Sequence, residues 1–389
     1  MNRLSRRSFL AASCAIPVQA QDRTGSSPGL ALVIAPENIR LGQTVIDDIQ
    51  LQQGIRLPVE TVRHEMVPWI GSDLAEEMLA GPLLFDAVLT NVAGFALGAA
   101  QDLWETLPAA LFETSTPLLT PTGQMVQANI GIGGLVIGTA PGGPVLLHRR
   151  SVLPSAPRSA ADLLEYARQN PRRFQYARPG QSRFGQAFVA AMPFLLRDRA
   201  PLDPQNGWNR TWEYLLELGR FANYYPSSGQ AVAEEFAEGG VDLCPVMLPA
   251  YLFGMAGGFL PPDTLCSLFD DAPLVPNSLI LAVPRGVPAE RLPLLSPLAS
   301  YLLGPGAQRQ LFGRGLIPGG PARDIAPATA TQPGTSQFDA DRLWMTAMTP
   351  ELAAALTGRE TAPPLNPYAQ AYMIRAWDGR IGARYGEVP

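Results

Sequence analysis

The 389-residue chain carries 29 basic side chains, and every one of them is arginine. Without lysine there is no Schiff-base lysine and no phosphate loop of the G-x-x-x-x-G-K-[ST] type. Two histidines, His64 and His148, leave little room for a histidine metal cluster, and a net charge of −5 without basic blocks argues against nucleic acid as a partner.

Residues 1–20 have the pattern of an export signal. Arg3, Arg6 and Arg7 form a positive start, Phe9 to Ile16 a short apolar stretch, and Val18-Gln19-Ala20 a small-residue cleavage site. Ser5-Arg6-Arg7-Ser8-Phe9-Leu10 is similar to the twin-arginine signal, which implies export of a folded protein to the periplasm. Cys14 is a second candidate feature, as a lipidation site. Cleavage leaves 26 arginines against 34 acids, a charge of −8. Cys244 and Cys266 then remain, either bridged or as two thiols.

From residue 30 the pattern alternates. Leu30 to Ile34 is a continuous apolar run, as expected of a strand buried on both faces. Asn38 to Gln53 have helical spacing, Leu57 to Val62 alternate as a strand, and Asp73 to Leu79 suit a short helix. Leu84 to Thr90 read as a strand ending at Asn91. Such alternation predicts a mostly parallel sheet flanked by helices. Met125 to Ile130 and Gly133 to Gly138 are two further apolar stretches, read together as a strand crossing between two lobes. The glycines there do not make a dinucleotide fingerprint, because Val136 stands where the third glycine is required.

A second alternating set follows. Helices are predicted over 160–169, 184–196, 212–222 and 230–237, and strands over 174–177, 241–246 and 279–283. From Ala289 the chain reads as mostly helical, with a proline-rich loop at 318–333. No cofactor loop, metal-ligand cluster or nucleophile elbow is visible, so neither cofactor nor catalysis is expected.

Several runs together resemble one family, the extracellular solute-binding proteins of ABC importers, and within it the YnjB-type subgroup. They are Glu76 to Gly81 followed by Phe85 to Leu89, Phe184-Gly185-Gln186-Ala187-Phe188, Tyr225-Pro226 leading to Val241-Asp242-Leu243, Gly258 to Pro261 with Asn277-Ser278, and Tyr301 to Gln308. The resemblance implies a two-lobed α/β fold of the periplasmic-binding-protein type 2 class, with a ligand cleft between lobes. On this reading residues 21–128 are the first part of lobe 1, 129–275 are lobe 2, and 276–389 return to lobe 1 with the C-terminal helices. It further implies a monomer that closes on a small polar solute and delivers it to the membrane permease. An exported enzyme and a solute sensor on the same fold are the alternatives.

In open α/β sheets, ligands sit beyond the carboxyl ends of strands. The loops at those ends supply the expected ligand contacts: Glu37 and Asn38; Asn91; Arg178, Ser182 and Arg183; Tyr251; and Asn277 at the second crossing. Arg178 to Arg183 run into a helix N-terminus, where free N–H groups and two guanidiniums favour an anion. Tyr225, near Ser227 and Ser228 at the start of the predicted 230–237 helix, is expected as cleft wall or N-cap. Ferric binders place a tyrosine pair after the Gly-x-Val-Asp strand; Tyr224-Tyr225 precede it, so no metal is assigned.

Overall fold

A computed structural model describes residues 32–34, 59–61, 86–116, 119–304, 317–318, 349–357 and 359–385. The predicted helices over 38–53 and 73–79 lie outside the described residues, as do Glu37, Asn38 and the signal-like segment.

Two sheets organise the described residues. The first contains β1 (Leu32–Ile34), β2 (Val59–Thr61), β3 (Ala87–Asn91), β4 (Gly134–Gly143), β8 (Val275–Ala282) and β9 (Ile317–Pro318), in the order β2-β1-β3-β8-β4-β9. The second contains β5 (Val145–Arg149), β6 (Leu243–Val246) and β7 (Thr264–Ser267), in the order β6-β5-β7. The chain leaves the first sheet along β4, enters the second directly as β5, and returns between β7 and β8. Among the described residues the pairing is mixed rather than mostly parallel, which corrects that part of the expectation. Parallel pairing holds for β2-β1-β3 and for the bridge between Phe174 and Leu243. The outgoing strands β4 and β5 run against the returning strands β8 and β7, so those pairs are antiparallel. Residues 174–177 contribute only that single bridge, not the predicted strand.

The helices among the described residues are α1 (Val92–Ala99), α2 (Ala109–Ser115), α3 (Pro121–Ile130), α4 (Ala160–Gln169), α5 (Arg183–Leu195), α6 (Asn209–Gly219), α7 (Gly229–Glu238), α8 (Leu248–Ala256), α9 (Leu295–Leu303), α10 (Pro350–Leu356) and α11 (Pro367–Arg380). None is long and apolar enough to cross a membrane. Met125 to Ile130 therefore belong to a helix and not to the crossing strand. Thr120 caps α3 by accepting from the Gly123 N–H, Pro121 occupies its first turn, and Gly131 stops it at φ 67°. Of Met247 to Tyr251, expected as a loop, all but Met247 belong to α8.

Strand alternation divides the packing around the second sheet. Leu146 and Leu243 face one core with Phe174, Tyr176, Phe188, Trp208, Leu215 and Trp377. Leu147, Cys244 and Val246 face the other, which continues under the first sheet through Leu135, Leu279 and Leu281. Cys244 and Cys266 both pair with Leu147, from opposite sides. Two strand spacings separate them, roughly 9–10 Å, beyond the Cα reach of a disulfide. Both are free thiols.

Candidate functional site

The ends of β3 and of segment 174–178 lead into two helix N-termini. Asn91 closes β3 and caps α1, its Oδ1 accepting from the Gly94 N–H at 3.0 Å. Ser182 caps α5 by accepting from the Phe184 N–H at 3.2 Å. The α5 turn lies directly on the strand end. A Cβ at Gly185 would fall 2.0 Å from the Ala177 carbonyl oxygen, so only glycine allows this approach. Asn91 and Ser182 are thus buried caps, each with its acceptor already used.

The C-terminal segment reaches both sheets. Leu274, beside the return into β8, bridges Thr361, and the Ala362 N–H donates to the Leu274 carbonyl at 2.8 Å. Asn129 donates its side-chain amide to the Pro364 carbonyl. α11 then packs along α1 and buries Met373, Ile374 and Trp377 in the second core, where Ala93 of α1 joins them. The Trp377 indole donates to the Tyr176 hydroxyl at 3.0 Å. Arg178 pairs with Asp378 at 2.9 Å, with both side chains 41% exposed.

Tyr225 stands in this aromatic group. Its ring centroid is 5.0 Å from Tyr176 and 4.9 Å from Trp377, both edge-on, and burial pushes its hydroxyl up to about 12. Tyr251 is buried in the other core, on α8. Asn277 lies on β8 opposite Ala140.

Arg183 differs from the rest. It begins α5 and borders a cavity of about 30 Å3 between α1, α5, the return into β8 and the C-terminal segment. Val92, Gln186, Val275, Leu365 and Gln370 are among the other residues around it. The structure brings Arg178, Ser182 and Arg183 together at one helix start, with Asn91 at the start of α1. Tyr225 is nearby through Trp377, while Tyr251 is in the other core. Gln186 and Gln370 were missed by sequence reasoning. Gln186 had a signal, as the one polar side chain in the apolar run Phe184 to Leu195; Gln370 had none.

No protein-family model matches the sequence, and no curated protein matches it. Solved structures do match in fold. An ABC transporter structure from Clostridium perfringens is 10% identical, with a TM-score of 0.64 over 92% of this chain and 100% of that one. The periplasmic binding protein AfuA from Actinobacillus pleuropneumoniae, with fructose-6-phosphate bound, is 13% identical, with a TM-score of 0.64 over 92% and 99%. Iron-bound HitA from Pseudomonas aeruginosa is 15% identical, with a TM-score of 0.61 over 91% and 98%.

The chain has the periplasmic-binding-protein fold. The cavity beside Arg183 is lined by the starts of α1 and α5, by Val275 and Pro276 at the return into β8, and by the C-terminal segment. Domain interfaces and strand ends are where such folds place ligands. The neighbouring structures are those of binding proteins rather than enzymes.

Proposed function

We propose that this chain is the solute-binding component of an ABC importer, exported to the periplasm by the twin-arginine signal in residues 1–20. It captures a small polar solute between its lobes and delivers it to the permease. Lobe 1 carries the first sheet and lobe 2 the second, as in the YnjB-type subgroup, and the protein acts as a monomer. Hinge closure about the connecting strands is a known mode for this fold. The observation that carries the reading is the cavity at the paired helix starts, Val92 of α1 and Arg183 of α5, beside the return into β8. Arg183 lines the cavity, Arg178 and Ser182 belong to the turn that leads into it, and Asn91 precedes the lining residue Val92; Glu37, Asn38, Tyr225, Tyr251 and Asn277 complete the proposed set.

A thermal-shift screen of the mature protein tests this. A specific solute raises the melting midpoint by mass action. Silence across polyamines, thiamine, amino acids, sugar phosphates and organic acids, together with turnover of some substrate, would reject it.

A further inference from the structure

Three polar side chains at the cavity lack protein partners. Among the described residues, nothing hydrogen-bonds to the Arg183 guanidinium or to the side-chain amides of Gln186 and Gln370, and all three border the same space. Gln186 is 6% exposed and Gln370 5%. Neither amide is among the fully buried unpartnered atoms, so both groups face the cavity with donors and acceptors free to meet a ligand or water. Arg183 and Gln186 are three residues apart on α5 and share a face. Gln370 comes from the first turn of α11, on the opposite wall. The remaining surface is mostly apolar, including Val92, Val275 and Leu365.

We infer that Arg183, Gln186 and Gln370 are the solute-recognition set, and that they bind the carboxylate of a small organic acid whose body extends out of the cavity. This rests on the solute-binding reading above and narrows it. A guanidinium offers paired donors in the plane a carboxylate requires, and each amide adds a donor. A cavity of about 30 Å3 holds about two waters. The two carboxylate oxygens take those positions. Arg178 is not the anchor, because Asp378 already pairs with it. Gln370 makes the C-terminal segment one wall of the site, so binding ties that segment to α5.

The test is calorimetric titration of the mature chain with pentanoate and benzoate. Pentanamide and benzamide serve as neutral counterparts, and inorganic phosphate as a second oxyanion. At least one acid is expected to bind, with its amide tenfold weaker or more. Arg183→Gln is expected to weaken the acid by about ten- to a hundredfold, and Gln186→Leu or Gln370→Leu by a few-fold. Circular-dichroism melts establish that each variant is folded. The inference is overturned if neither acid binds, if phosphate alone binds, or if Arg183→Gln leaves the acid's affinity unchanged. Should the acids fail while another solute raises the melting midpoint independently of Arg183, the solute-binding reading survives without this one. Should no solute bind, both fall.

Discussion

Arg178 and Asp378 meet at 2.9 Å although 200 residues separate them in the chain. The pair joins the turn before α5 to the last turn of α11. Both side chains are substantially exposed, so solvent screens the attraction. Asp378→Asn should cost under about 1 kcal/mol of stability by urea unfolding. A larger loss would mean that the contact does more than join two segments already held by Trp377.

Asp86 and Arg291 form a different kind of pair. The Arg291 Nη1 donates to both Asp86 oxygens, at 2.7 and 2.6 Å, with the carboxylate 2% exposed. Removing one partner strands a buried charge. Arg291→Met should therefore cost about 3–5 kcal/mol, and adding Asp86→Leu to it should restore most of that loss. Equal destabilisation by the single and double variants in urea would refute this account.

His148 lies on β5, 1% exposed. Its Nδ1 donates to the Leu153 carbonyl at 2.7 Å, which leaves Nε2 to accept from the Ser267 hydroxyl at 2.8 Å. Burial lowers its pKa, and the Leu153 hydrogen bond offsets this only in part. The unfolded chain then takes up the proton first as pH falls. The stability from the neutral ring is complete above about pH 6.5 and declines below it, toward the lower folded value. Urea midpoints at pH 7.5 and 5.5 should differ for the wild type, and His148→Gln should reduce that difference. An unchanged difference in the variant would count against the assignment.

The cysteines give a simpler expectation. Cys244 and Cys266 stand two strands apart in the second sheet, and burial pushes the Cys244 thiol up. A reductant should leave the melting temperature of the mature protein unchanged, and Cys244 should react with a thiol reagent only after unfolding. A drop in melting temperature on adding dithiothreitol would overturn the geometry.

Local chemistry was the legible part of this chain. Ser159 and Asp162 form a reciprocal capping box, and α4 spans the predicted residues 160–169. The α5 start at Ser182 could likewise be read, because a hydroxyl cap precedes an apolar run. At α3, apolar content suggested a strand, while Thr120 and Pro121 held the stronger helix signal. What could not be read was long-range. Nothing local to Trp377 indicates that its partner is Tyr176, or that Gln370 shares a cavity with Gln186. The loop residues Asn91 and Ser182 were recognised by position, but their caps are satisfied within their own helices, a distinction only geometry supplies.

The Trp377–Tyr176 contact also has a kinetic side. The two residues lie 201 positions apart. Phe174, Tyr176 and Trp212 are synthesised long before α11, and they cannot be fully covered until it arrives. Contacts of such sequence separation form slowly, and an intermediate lacking them leaves aromatic surface open to association. Folding of the second core thus has an order imposed on it: its aromatic face comes first, and its closing element comes late.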